Sequence, residues 1–100
     1  MRSNFKSIID SNVPVLVDFF ATWCGPCKAL APILDAVKED LGEEIKIVKV
    51  DVDKNQTLAG NYRVLGVPTL LLFNNGRLVW RQSGVIQKSD LISIIAAKTS

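Results

Sequence analysis

Nine residues, Val13-Pro14-Val15-Leu16-Val17-Asp18-Phe19-Phe20-Ala21, form an almost unbroken apolar stretch rich in valine and phenylalanine. A strand with one wet face alternates apolar and polar residues; this one does not, so it predicts a central parallel strand covered on both faces. Further on, Leu30, Ile33, Leu34, Val37 and Leu41 recur at helical spacing, and Gly42 follows. That pattern predicts an amphipathic helix ending at Gly42, with Pro32 inside it as an expected kink. Residues 45–52, carrying Ile45, Ile47, Val48, Val50 and Val52, read as the next strand. Strand, helix and strand make a parallel crossover unit, expected to be right-handed.

The flanks complete an α/β pattern. Phe5, Ile8 and Ile9 predict a short helix over residues 4–11, and Asp53 reads as the N-cap of another running to about Tyr62. Residues 69–73 and 78–83 enclose Asn74-Asn75-Gly76, and Asn-Gly between two apolar runs signals an antiparallel hairpin. A last helix is expected from about Ser89, with Leu91, Ile92 and Ile95 on its buried side. Trp80, large and within a hairpin strand, reads as packing. One hundred residues suit one domain, 1–100, and there is no repeat or linker to divide it. A formal charge of +2, with dispersed lysines and arginines, argues against nucleic acid or an anionic membrane as partner, and no apolar run approaches a membrane span. Lys6 stands where an export leader needs apolar residues, so a cytoplasmic location is expected, although a removed leader would leave no trace.

The chemistry is concentrated in Cys24-Gly25-Pro26-Cys27, the only two cysteines of the chain. A disulfide between them would close too small a ring to restrain much of the unfolded chain, which argues against a structural staple. A zinc site needs four ligands, and a chain without histidine could supply them only with carboxylates or by sharing the site with another chain. No bound metal is therefore expected. Two inert buried thiols remain an alternative. The third reading is a redox pair: at a helix start, unpaired backbone N–H groups pull the first thiol toward thiolate, while the second waits one turn inside. In sheets of this kind catalytic groups sit just beyond the carboxyl ends of strands, where Cys24 falls. Cys24 would then attack a disulfide, facing solvent, and the less exposed Cys27 would resolve the mixed disulfide. Gly25 would leave room for a substrate, and Pro26 suits a first helical turn.

Trp23-Cys24-Gly25-Pro26-Cys27-Lys28, Asp18 six residues before the first cysteine, and Gly66-Val67-Pro68-Thr69 together resemble the thioredoxin family, from about Phe5 to the C-terminus. The resemblance implies a three-layer α/β/α sandwich around a mixed sheet. The family usually opens with an additional strand that this chain begins too late to supply, so four strands and an uncovered or otherwise protected edge are expected. Phe20 stands where the family usually has tryptophan and lacks the indole N–H.

The resemblance also implies roles. Asp18 becomes a proton acceptor for Cys27 rather than an inert carboxylate at a strand end, and Lys49 its neighbour rather than a solvated edge residue. Pro68 becomes a cis-proline facing the cysteines, with the Val67 backbone able to pair with an extended substrate. Trp23, Gly66, Val67 and Gly84 form the surrounding contact surface. The implied activity is protein-disulfide reduction by a monomer with no bound cofactor. Electrons would come from NADPH through a thioredoxin reductase, and disulfide-containing proteins would be the substrates. The rivals are a disulfide oxidase or isomerase using the same residues at higher potential, and a non-catalytic docking module.

Overall fold

A computed structural model describes residues 2–100, with side chains from Asn4 onward. The elements run α1 (Arg2–Ile9), β1 (Val15–Phe20), α2 (Gly25–Leu41), β2 (Lys46–Asp51), α3 (Gln56–Asn61), β3 (Thr69–Asn74), β4 (Arg77–Ser83) and α4 (Lys88–Thr99). The sheet order is β2-β1-β3-β4. β1 pairs parallel with β2 and antiparallel with β3, and β3 pairs antiparallel with β4. This is the mixed four-stranded sheet expected, with β2 and β4 at its edges.

The apolar run at β1 has the predicted cause. Val15, Val17 and Phe19 point to one face, where Phe5 and Ile9 of α1 and Ala59 of α3 cover them. Leu16 points to the other, against Leu30, Leu34 and Val37 of α2 and Leu91 and Ile95 of α4. Helices on both faces make three layers. α1 is held further by an aromatic cluster in which the Phe5 ring lies 5.6 Å from that of Tyr62 and 5.9 Å from that of Phe73.

α2 runs through Pro32 without ending, and stops where Gly42 takes φ +56°. Such a backbone is open to glycine at little cost. The hairpin forms as its Asn-Gly pair dictates: Asn75 (φ +53°) and Gly76 (φ +80°) are both left-handed, and Asn74 pairs with Arg77 across them. Trp80 packs against the α2/α4 side of the core.

Several boundaries differ from expectation. α1 ends at Ile9, β2 is confined to Lys46–Asp51, and β4 begins one residue early at Arg77. The larger difference is at α3, whose N-cap is Asn55 and not Asp53. Asp53 instead sits in a turn: its N–H donates to Asp51 Oδ1 at 2.9 Å, and the Lys54 N–H donates to the Asp51 carbonyl at 3.2 Å. A side chain that competes for local hydrogen bonds can end a strand as readily as it starts a helix.

Candidate active site

β1 ends at Phe20 and the chain turns once before α2, so a central strand and a 17-residue helix together fix Cys24. Cys24 is the N-cap of α2, in extended conformation, and Pro26 lies in the first turn. Its Sγ accepts the Cys27 N–H at 3.1 Å, which is a charge-stabilising contact for a thiolate at a helix start. Cys24 and Cys27 are joined in a disulfide. Gly25 is exposed, and a Cβ built there meets nothing within 4 Å, so the space above the motif is open.

Cys24 does not face solvent as expected. It is 3% exposed and Cys27 6%, so the order of exposure is also reversed in this oxidised state. The cause is tertiary packing: both cysteines cluster with Ala21, Phe20, Val52 and Val67. The Val67 carbonyl oxygen lies 3.7 Å from Cys24 Sγ, which covers the sulfur from the loop before β3.

That loop holds the other expected contact residues. The Val67–Pro68 bond is cis, and Pro68 is buried. The Gly84 N–H (φ +94°) donates to the Pro68 carbonyl at 2.9 Å. Thr69 Oγ1 donates to the Gly66 carbonyl at 2.7 Å and lies 2.9 Å from Ser83 Oγ. Gly66, Val67, Pro68 and Gly84 are therefore tied into one rim beside Cys24. Trp23 is 69% exposed, and its indole Nε1–H donates to Asp53 Oδ2 at 2.9 Å. Asp53, which the sequence pattern assigns to a helix cap, is thus tied to Trp23, the residue before Cys24. Leu65, 97% exposed next to Gly66, also escaped notice. Nothing local marks either; only the thirty-residue contact from Trp23 reveals Asp53.

Asp18 projects from β1 toward the α2 side, the face occupied by Leu16, and is 2% exposed. Its Oδ1 has no hydrogen-bond partner. Burial pushes its pKa up from 3.8 to about 6, and the Lys49 ammonium pulls the other way. Lys49 is the residue directly across from Asp18 on β2, yet it is exposed. The structure thus brings Asp18 and Lys49 together at the β1–β2 pair. Among the described residues no cluster of metal-ligating side chains occurs, and no helix is long and apolar enough to cross a membrane.

The disulfide thus sits at a helix start beside a cis-proline loop. The family profile described as Thioredoxin matches residues 1–97. The chain belongs to the thioredoxin family. It is 43% identical over 94 residues to the thioredoxin of Haemophilus influenzae, covering 93% of this chain and 88% of that one. With the thioredoxin of Porphyra purpurea it shares 42% identity, at the same coverage of 93% and 88%. A mutant thioredoxin from Halobacterium salinarum superposes with a TM-score of 0.88 at 38% identity, covering 98% of this chain and 85% of that one. As a member of this family, the chain is a thiol-disulfide oxidoreductase that reduces protein disulfides by dithiol–disulfide exchange.

Proposed function

We propose that this protein is a general protein-disulfide reductase that works as a cytoplasmic monomer, recharged from NADPH through a thioredoxin reductase. In the reduced protein the Cys24 thiolate attacks one sulfur of a partner's disulfide. That S–S bond breaks, a Cys24–partner disulfide forms, and the displaced sulfur leaves as a thiolate that takes a proton from water. Cys27 then gives its proton to Asp18 and attacks Cys24 Sγ. The Cys24–Cys27 disulfide forms and the second partner sulfur departs. Two electrons pass to the partner, and a reductase must return two to close the cycle.

The observation that carries this reading is Cys24 Sγ at the N-cap of α2, accepting the Cys27 N–H at 3.1 Å. That contact favours the first sulfur as thiolate and holds the second within one helical turn. The raised pKa of Asp18, about 6, supports its role as acceptor: it is mostly ionised at neutral pH yet a better base than an ordinary aspartate. The open space above Gly25 and the exposed Trp23 support docking by protein substrates through the rim of Gly66, Val67, Pro68 and Gly84. Lys49 acts on Asp18, limiting how far burial raises its pKa.

The test is substrate trapping. Cys27→Ser should accumulate mixed disulfides with protein substrates, because attack occurs without resolution; Cys24→Ser should trap almost none. Equal trapping by both variants would overturn the division of roles. A reduction potential near the about −270 mV usual for thioredoxins, rather than the about −120 mV of a strong oxidant, would separate the reductase from the oxidase reading.

A further inference from the structure

The two edges of the sheet are built differently. Along β4 the pairing with β3 slips between Leu72 and Phe73, and Arg81 folds back onto the carbonyls of Tyr62 and Arg63. A bulge and edge charges are common ways to blunt an edge. β2 has no bulge and pairs with β1 in unbroken register from Lys46 to Asp51.

Which backbone groups of β2 remain free follows from the ladder. The Lys46 N–H donates to the Pro14 carbonyl and the Val52 N–H to the Phe20 carbonyl, both at 2.9 Å. Parallel pairing turns alternate residues toward the neighbour, so Lys46, Val48, Val50 and Val52 face β1. Ile47 and Lys49 consequently present both N–H and C=O outward. Asp51 presents its N–H, since its carbonyl already accepts from Lys54 and from the Asn55 side chain.

A groove lies on each side of this edge, and Val48 and Lys49 line both. The groove on the α1/α3 side, about 880 Å³, has an apolar floor of Phe5, Ile8, Val48, Val50 and Leu58. The groove on the α2 side, about 480 Å³, has Leu34 and Ile47 at its base and is lined by Lys38, Lys46, Lys49 and Asp35. The Lys38 ammonium donates to the Gly42 and Ile45 carbonyls, and Lys49 lies across from Asp18. A strand added to β2 would send successive side chains alternately into an apolar groove and a positively charged one.

We propose that β2 is a strand-addition site for an extended segment of a partner protein that alternates apolar residues with carboxylates. Main-chain hydrogen bonds to Ile47, Lys49 and Asp51 would hold it, and the two grooves would select its side chains. A second copy of this chain suits the site less well. An antiparallel β2–β2 pair centred on the outward residues sets Lys49 opposite Lys49, and like charges directly opposite are destabilising. Edge lysines act against self-pairing in this way.

The probe is a short capped peptide alternating valine and glutamate, titrated into the oxidised protein while amide hydrogen exchange is followed by NMR. At saturation the Ile47, Lys49 and Asp51 amides should exchange roughly tenfold more slowly or better. A peptide alternating valine and lysine should give no protection. Lys46→Glu should raise the concentration of the glutamate peptide needed by roughly threefold or more, a rim-charge effect, and leave reduction of a small disulfide unchanged. The proposal is overturned if these three amides are not slowed at millimolar peptide, or if protection falls on β4 or around Cys24 instead. It is equally overturned if protection in the free protein rises with its own concentration alongside dimer formation, which would make a second copy the occupant.

Discussion

Replacing Asp18 with alanine should stabilise the protein above neutral pH while slowing its turnover. The carboxyl is 2% exposed, its Oδ1 has no partner, and its pKa lies at about 6 against 3.8 when free. A folded pKa above the unfolded value means that the native state binds the proton more tightly. Below pH 3.8 both states are protonated and burial of the charge costs nothing. As pH rises through the window from 3.8 to about 6, the unfolded chain ionises freely and the native chain does so only against burial, so wild-type stability falls. The full difference of roughly two pKa units is of order 3 kcal/mol, of which about 2 kcal/mol lies between pH 4 and pH 8. Alanine lacks this penalty but leaves a small cavity, a constant loss at every pH. The difference between variant and wild type should therefore climb in the variant's favour up to about pH 6 and then level off. Denaturant unfolding of both oxidised proteins at a series of pH values reads this directly. Turnover on a protein disulfide should drop roughly tenfold to a hundredfold in the variant, since Asp18 is the acceptor proposed for the Cys27 proton and water takes it less well. A stability difference that is flat with pH, together with unchanged turnover, would refute both the burial of the charge and its use.

Three further outcomes follow from single contacts. In the reduced protein Cys24 should react with iodoacetamide much faster than Cys27 near neutral pH, because the helix start favours its thiolate; equal rates, read by mass spectrometry, would count against the assignment. Asp53→Ala should release the Trp23 indole, raising KM for a protein disulfide about two- to tenfold while a small disulfide is reduced as before; a parallel change in both would place Asp53 outside docking. Gly76→Ala should cost about 1 kcal/mol in denaturant unfolding, since φ is +80° and the added Cβ only touches Asp10 at 3.5 Å; an unchanged midpoint would contradict the left-handed turn.

Features carried by local patterns could be read from the chain directly. The apolar run of β1, the helical spacing from Leu30 to Leu41 and the Asn75-Gly76 turn each have a physical cause within a few residues of themselves. Asp18 was conspicuous for the same reason, being a charge inside an apolar strand. What depended on distant partners was not readable. Asp53 has the composition of a helix cap, and only its contact with Trp23 thirty positions earlier gives it another use. The shielding of Cys24 arises from Val67, forty-three positions away, so position at a helix start indicated its electrostatics but not its exposure. Gly84 entered only through resemblance, and its bond to the Pro68 carbonyl supplies the reason.

The buried sulfur and the exposed rim are two sides of one requirement. A thiolate that must attack many different proteins cannot rely on a pocket shaped for one of them. Here Cys24 is held by β1 and α2 and flanked by Val67, while its neighbour Trp23 is 69% exposed and Leu65, next to Gly66, is 97% exposed. Exposed apolar surface of this kind gains by being covered, at about 25 cal/mol per Å², whichever side chains cover it. Open space above Gly25 and Gly66 lets a partner's backbone approach without displacing a side chain. Contacts of this sort are tolerant of sequence, and the reaction selects a partner instead by whether its disulfide can be brought down to a recessed sulfur. Selectivity for particular proteins would then fall to surfaces away from Cys24, and the β2 edge proposed as a strand-addition site is one such surface.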